Sequence, residues 1–290
     1  MKPVSELRDE VGESPVWSPE EQALWWVDIE GRWLRRYHPA TDRTQSWATP
    51  ERTGCIALHA QGGLLAAMET GLWRLQPQDD GQLDSARIAV VAHARDNMRF
   101  NDGRTDRQGR FWAGTMVRDM GLASDAGALY RWDERGMVKV LDGFITPNGL
   151  GFSPDGRTMY LSDSHPSVQK VWAFDLDDQG TPRNRRLFVD FNDHPGRPDG
   201  AAVDAEGGYW ICANDAGLVH RFTPDGRLDR SIAVPVAKPA MCAFGGAALD
   251  SLFVTSIRPA SPPPEQAALA GALFIGSPGA RGLPDTPCRA

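Results

Sequence analysis

The stretch GLGFSPDGRTMYLSDSHPSVQKVWAF, residues 149–174, contains one copy of the pattern that decides the fold. It begins with a short apolar run, turns at Pro154-Asp155-Gly156 and enters a second apolar run at Met159-Tyr160. A further strand-like run, Val171–Phe174, follows. Short apolar runs that are separated by Gly, Pro and Asp turns, and that lack helical periodicity, are typical of β-strands.

The pattern recurs six times along the chain. Its clearest part is a turn followed by two or three large apolar residues, and one residue marks each copy: Trp25, Leu65, Trp112, Tyr160, Trp210 and Phe253. Successive markers are 40, 47, 48, 50 and 43 residues apart. This spacing matches propeller blades, each a four-stranded sheet packed around a central channel. We therefore predict an all-β, six-bladed β-propeller, with a β-sandwich or barrel as the alternative.

Six units of this length use nearly all of the 290 residues, so we expect a single propeller domain over residues 1–290. The 30 glycines and 22 prolines fit a chain with many turns. The N-terminal stretch Pro3–Arg8 is expected to close the ring by adding a strand to the last blade. A closed ring has no long exposed edge strand, and a monomer is the corresponding expectation.

Composition excludes several classes of partner. The net charge of −7 argues against binding to nucleic acid or to an anionic membrane. The N-terminus MKPVSELRDE has no apolar segment of the secretory type, and no run is long enough to span a membrane. Four cysteines without a CxxC pair indicate neither a zinc site nor a disulfide framework. We expect a cytoplasmic protein with reduced thiols.

Polar residues occupy a repeated position at the start of each blade's first strand. This position lies 10–12 residues before each marker and holds Glu13, Gly54, Asn101, Asn148, Asp199 and Cys242. In a propeller, equivalent positions on the innermost strands form a ring around the channel mouth, so four side chains with oxygen donors are expected to converge. Taken singly, pairs such as Asn148-Gly149 and Asp199-Gly200 are also ordinary turn dipeptides.

Two carboxylates close together in a partly dry channel would repel each other strongly, and a bound divalent cation removes that cost. Oxygen ligands from Glu, Asp and Asn suit Ca²⁺, Mg²⁺ or Mn²⁺. Zinc prefers nitrogen and sulfur ligands but is compatible with an oxygen set.

Five motifs occur in the order of a known family. They are Gly12-Glu13-Ser14-Pro15-Val16-Trp17, Arg99-Phe100-Asn101-Asp102-Gly103, Gly109–Met116, Pro147-Asn148-Gly149 and Pro198-Asp199-Gly200. Through these motifs the chain resembles the regucalcin (senescence marker protein), gluconolactonase and luciferin-regenerating enzyme family from about Glu10 to Phe274. As a set they are specific, although each alone is not.

The resemblance implies a six-bladed propeller with one divalent metal ion at the channel. Calcium is the first expectation, and zinc, magnesium, manganese and iron are the alternatives. The implied metal ligands are Glu13, Asn148 and Asp199. The implied substrate contacts are Arg99, Asn101 and Asp119. The loop that contains Asp119 departs from the family pattern, because the family has Glu there and Arg118 precedes it here, so substrate choice is expected to differ through this loop.

The resemblance points to metal-dependent hydrolysis of a sugar lactone, such as gluconolactone or a pentonolactone, to the aldonic acid. The metal would act as a Lewis acid, Asp199 would activate water, and Arg99 and Asn101 would hold the substrate. Two alternatives stay open. One is a non-catalytic propeller that binds calcium or a protein, and the other is a metal-dependent phosphotriesterase or esterase on the same scaffold.

Overall fold

The structure is a computed structural model that describes residues 1–290, and it contains six four-stranded antiparallel sheets. The first strand of each sheet lies beside the first strands of the two neighbouring sheets, so the six sheets form a closed ring around a channel. The predicted six-bladed β-propeller is confirmed, and the sandwich or barrel alternative is wrong. Two short 3₁₀ helices, Met120–Leu122 and Phe191–Asp193, interrupt the loops.

The first three blades follow one another along the chain. Blade 1 contains β2 (Gly12–Ser18), β3 (Ala23–Asp28), β4 (Trp33–His38) and β5 (Arg43–Ala48). Blade 2 contains β6 (Thr53–Leu58), β7 (Leu64–Met68), β8 (Gly71–Pro77) and β9 (Leu83–Val90). Blade 3 contains β10 (Met98–Thr105), β11 (Phe111–Val117), β12 (Gly127–Asp133) and β13 (Gly136–Phe144).

The other three blades complete the ring. Blade 4 contains β14 (Pro147–Phe152), β15 (Thr158–Asp163), β16 (Lys170–Leu176) and β17 (Pro182–Asp190). Blade 5 contains β18 (Arg197–Val203), β19 (Tyr209–Asn214), β20 (Leu218–Phe222) and β21 (Leu228–Ala233). Blade 6 contains β22 (Pro239–Gly245), β23 (Ser251–Ser256), β24 (Phe274–Gly276) and β1 (Lys2–Pro3).

The N-terminus closes the ring as predicted, but with a shorter strand than predicted. The outermost strand of blade 6 comes from the N-terminus, with Lys2 opposite Ile275 and Pro3 opposite Phe274. The predicted stretch Pro3–Arg8 shares only Pro3 with this strand, so most of its expected strand is wrong. Proline lacks an amide N–H, and an outermost strand is where the sheet tolerates that loss.

The markers all lie in the second strands of their blades, in β3, β7, β11, β15, β19 and β23. Large apolar residues occur there because a second strand is covered on both faces by the neighbouring blades. Six apolar clusters result, one between each pair of adjacent blades. Four of the twelve largest fully buried side chains are tryptophans, namely Trp26, Trp47, Trp112 and Trp210. The core is therefore a ring of interfaces rather than one central mass.

The C-terminal segment, residues 281–290, crosses one end of the channel. Its backbone bonds to the far ends of two blades: the N–H of Gly282 donates to the carbonyl of Leu249 (2.8 Å) in the turn between β22 and β23, and that of Cys288 donates to the carbonyl of Leu58 (2.7 Å) at the end of β6. Within the channel, Asp285 forms an ion pair of 2.8 Å with Arg104. Because the predicted site residues lie at the starts of the first strands, this segment covers the opposite end.

All four cysteines are free and buried. None of the helices combines the length and the apolar character that a membrane crossing requires.

Candidate functional site

Bulges in the innermost strands shape the channel mouth. In every blade the pairing between the first and second strands shifts register near the start of the first strand. A bulge leaves residues outside the regular ladder and changes the direction of their side chains. The shifts in blades 1, 3, 4 and 5 lie at or beside Glu13, Asn101, Asn148 and Asp199.

The register confirms five of the six predicted ring positions. Glu13 lies three residues before Val16, which pairs with the marker Trp25. The same count holds for four other positions: Gly54, Asn101, Asn148 and Asp199. The position predicted in blade 6 is wrong, because Cys242 directly precedes Ala243, the partner of Phe253, and Ala240 occupies the equivalent place. The bulge in blade 6 is like those of blades 1, 3, 4 and 5, but Ala243 lies ten residues before its partner Phe253, whereas this separation is eight or nine residues in the other blades. The ring position of blade 6 is therefore farther from its marker.

The two carboxylates of the ring are buried without a cationic partner. Glu13 is 8% exposed and Asp199 is 7% exposed. Burial raises the pKa of Glu13 well above its usual range, and the negative charges of Asp199 and Asp102 raise it further. Burial also raises the pKa of Asp199 to about 7, although Arg197 lowers it. Arg197 forms its own ion pair with Asp215 at 2.6 Å, so Asp199 is left with a charge that no side chain neutralises.

Hydrogen bonds leave one oxygen of each proposed metal ligand available. The backbone N–H of Ser14 donates to Oε2 of Glu13 (3.2 Å), and Nδ2 of Asn214 donates to Oδ2 of Asp199 (2.8 Å). Glu13 Oε1 and Asp199 Oδ1 make no hydrogen bond within the protein. The amide of Asn148 is oriented by Ser164, because its Nδ2 donates to the Ser164 hydroxyl (2.9 Å) and so directs Oδ1 to the other side.

This donor set fits a hard divalent cation. Two carboxylates and one carboxamide, each with a free or weakly used oxygen, are the ligand types that Ca²⁺ and Mg²⁺ take. No group of three or more His, Cys, Asp or Glu side chains is placed to hold a metal ion. A cation at the channel mouth would therefore need the carboxamide oxygen of Asn148 beside the two carboxylates.

The backbone after Asn148 is held from two sides. Gly149 has a φ of 61°, and a side chain there would meet the Tyr209 hydroxyl at 2.6 Å. The Tyr209 hydroxyl donates to the Gly149 carbonyl (2.6 Å), and the N–H of Leu150 donates to Asp102 Oδ2 (2.8 Å). These contacts come from blades 5 and 3, and they set the direction of the Asn148 side chain.

The predicted substrate contacts Arg99 and Asn101 adjoin the proposed metal ligands. Arg99 donates from Nη1 to Oδ1 of Asn101 (2.7 Å), and Asn101 donates from Nδ2 to Oδ1 of Asn148 (3.2 Å). Burial lowers the pKa of Arg99, and Glu30 and Glu13 oppose this shift. Arg99, Asn101 and Asn148 thus form one hydrogen-bonded chain.

The third predicted substrate contact, Asp119, takes no part in this hydrogen-bonded chain. Its side chain is exposed and accepts the N–H of Gly121 (3.0 Å), which caps the helix Met120–Leu122. A role for Asp119 toward the substrate stays a prediction.

Sequence reasoning missed three residues that shape the site. Asp102 lies within one of the five motifs, but the sequence analysis assigned a role only to its neighbour Asn101. Tyr209 counts as an apolar strand residue in the repeat, and only the structure shows its hydroxyl at the Gly149 carbonyl. Asn214, at the end of a second strand, carries no signal in the sequence at all.

Comparisons with known proteins agree with the fold and the motifs. The SMP-30/gluconolactonase/LRE-like region matches residues 11–258. A 6-deoxy-6-sulfogluconolactonase of Pseudomonas putida is 40% identical over 250 residues, which cover 86% of this chain and 84% of that protein. A pentonolactonase of Haloferax volcanii is 36% identical over 248 residues, covering 85% and 81%. The solved structure of a calcium-binding protein, regucalcin, of Agrobacterium tumefaciens superposes with a TM-score of 0.90 at 28% identity, covering 99% and 97%.

Proposed function

The chain belongs to the SMP-30/gluconolactonase/LRE-like family, and on that premise we propose that it hydrolyses a sugar lactone to the aldonic acid with one divalent cation at the channel mouth. One observation carries the proposal: two buried carboxylates, Glu13 and Asp199, lie near a carboxamide without any cationic side chain to neutralise them. Relatives named for a sulfogluconolactone and a pentonolactone support the substrate class. A calcium-binding structural neighbour supports the cation.

Glu13, Asn148 and Asp199 would hold the cation, with calcium as the first candidate. When bound, a divalent cation supplies Lewis-acid polarisation of the lactone carbonyl and stabilises the negative charge that develops on it. The two carboxylates balance the charge of the cation, so the loaded site is close to neutral.

Asp199 acts on the attacking water. A carboxylate in this position can accept a proton from water and return it to the leaving group. Asp199 takes a proton from water as the water oxygen bonds to the lactone carbonyl carbon. The bond from that carbon to the ring oxygen then breaks, and the same proton goes to the departing hydroxyl. The products are the open acid and a regenerated carboxylate.

Arg99 and Asn101 position the substrate. The guanidinium group of Arg99 donates hydrogen bonds to the sugar part of the lactone, and its contact with Asn101 keeps both groups in a defined direction. Positioning of this kind acts mainly on substrate use, whereas Asp199 acts on the chemical step.

The test measures acid release from a panel of aldonolactones by pH-stat titration. Metal-stripped protein is assayed after Ca²⁺, Mg²⁺, Mn²⁺, Zn²⁺ or Fe²⁺ is restored singly. We expect rapid metal-dependent acid release, loss of turnover in Asp199→Ala and a raised KM in Arg99→Ala. Asp225→Ala, on an exposed turn far from the mouth, is the matched control and should behave as wild type.

Two results would overturn the proposal. The first is folded protein that releases no acid with any cation, which would favour the non-catalytic propeller or a different ester substrate. The second is Asp199→Ala that keeps near-normal turnover with metal bound, which would remove Asp199 from the chemical step.

A further inference from the structure

Three arginines belong to one charged network at the channel mouth, on the side of blades 1 to 3. Arg52 precedes β6, Arg99 lies at the start of β10 and Arg118 directly follows β11. All three positions are at the same end of their strands as the proposed metal ligands. Two carboxylates complete the network: Arg52 is 2.7 Å from Glu30 and 3.1 Å from Glu69.

The ion pairs within this network are uneven. Arg52 makes the short contacts to both glutamates, whereas Arg118 reaches Glu30 only at 3.7 Å and Glu69 only at 4.0 Å. Arg99 has no carboxylate within ion-pair distance, and it donates only to the Phe100 carbonyl and to Asn101. The Nε groups of Arg99 and Arg118 are buried without a hydrogen-bond partner. Three guanidinium groups therefore face two carboxylates, and two of the three keep unused donors.

The terminal Nη2 groups of Arg99 and Arg118 also make no hydrogen bond within the protein, because the bonds of both side chains use Nη1. Arg99 contacts Asn101, and Asn101 contacts Asn148, so the network begins where the proposed metal ligands end. A lactone with its carbonyl at the cation would extend its far end toward Arg99 and Arg118. Guanidinium donors that lack acceptors in a partly buried site are costly, and a planar fork of this kind matches an oxyanion better than a hydroxyl.

We propose that the substrate is an aldonolactone with a tetrahedral oxyanion group, a sulfonate or a phosphate ester, at the end remote from the lactone carbonyl, and that Arg99 and Arg118 bind this group. This inference rests on the proposed lactonase function. Arg52 is a positioning residue, because its short ion pairs neutralise Glu30 and Glu69 and leave Arg118 without a close carboxylate partner.

The experiment compares kcat/KM for three lactones at constant cation concentration: gluconolactone, 6-deoxy-6-sulfogluconolactone and 6-phosphogluconolactone. For the wild type we expect one anionic lactone to exceed gluconolactone by about tenfold or more, equivalent to one well-made charged contact. That preference should shrink as ionic strength rises, because salt screens the partly exposed Arg118. The sulfonate and phosphate arms identify which oxyanion the site takes.

Variants then test the assignment. Arg118→Gln should lower the ratio of anionic to neutral kcat/KM by about tenfold, mainly through KM, and Arg118→Lys should restore part of it. Arg183→Gln is the matched control, because Arg183 lies on the outer strand of blade 4, 64% exposed, with a single carboxylate partner. Thermal unfolding of Arg118→Gln shows that the variant is folded.

The outcomes separate the two proposals. Equal kcat/KM for neutral and anionic lactones would overturn the inference while leaving the lactonase function intact. A preference that survives unchanged in Arg118→Gln would also overturn it. Failure of the wild type to hydrolyse any of the three lactones would reject the proposed function itself, and this inference with it.

Discussion

Tyr209→Phe tests whether the backbone after Asn148 depends on a contact from the neighbouring blade. The substitution removes one hydroxyl and leaves the ring, so it creates almost no cavity. The lost contact is the 2.6 Å hydrogen bond to the Gly149 carbonyl. A buried carbonyl that loses its partner costs about 1–3 kcal/mol.

This cost can be measured as a change in melting temperature. An unfolding entropy of about 2.1 cal/mol/K per residue gives about 0.6 kcal/mol/K for this chain, so the melting temperature should fall by about 2–5 °C. Because Gly149 follows Asn148, the loosened backbone should also weaken cation binding, by about tenfold if it costs about 1.4 kcal/mol there. Calorimetric unfolding and titration with Ca²⁺ measure the two effects.

Tyr160→Phe is the matched control. The Tyr160 ring centroid lies 4.9 Å from that of Tyr209, and its hydroxyl makes no hydrogen bond within the protein. Its loss should change stability by about 0.5 kcal/mol or less. If Tyr209→Phe has the same melting temperature as Tyr160→Phe and binds the cation with wild-type affinity, blade 5 does not hold the backbone after Asn148.

Three further predictions concern stability. Asp204→Ala should lower the free energy of unfolding in urea by about 3–5 kcal/mol, because the buried carboxylate accepts hydrogen bonds from Trp210 Nε1 (2.8 Å) and Arg221 Nε (2.7 Å). Asp229→Ala, at an exposed carboxylate, should have little effect, and equal losses in the two variants would contradict the prediction. Burial raises the pKa of Asp9 to about 6 against the lowering effect of Arg35, so between pH 4 and 6 the folded state keeps a proton that the unfolded chain has lost. The stability of wild type relative to Asp9→Asn should therefore fall by up to about 3 kcal/mol as pH rises through that window and stay level above it, and a flat difference in urea unfolding would refute the assignment. A divalent cation at about one hundred times its Kd should stabilise the wild type by about 2.7 kcal/mol, which raises the melting temperature by about 4 °C. The cation should stabilise Glu13→Gln much less, and equal rises in melting temperature in calorimetry would show that Glu13 does not hold the cation.

The repeat made the fold predictable from the sequence. Large apolar residues are required wherever a strand is covered by blades on both faces, and that requirement recurs once per blade. The markers from Trp25 to Phe253 consequently all lie in second strands. The polar ring was predictable for the same reason, since five of its positions lie 11 or 12 residues before the marker of their blade.

The structure alone decided the details that depend on strand register and on contacts between residues distant in the sequence. Whether Ala240 or Cys242 holds the ring position of blade 6 depends on which residue of the first strand pairs with the marker Phe253, and the turn between the two strands sets that register. The side chains that orient the site, Tyr209 on Gly149 and Asn214 on Asp199, lie 60 and 15 residues from their partners along the chain. Local patterns of polarity specify which face of a strand is buried, but the partner of a buried polar atom is set by how the blades pack around the channel.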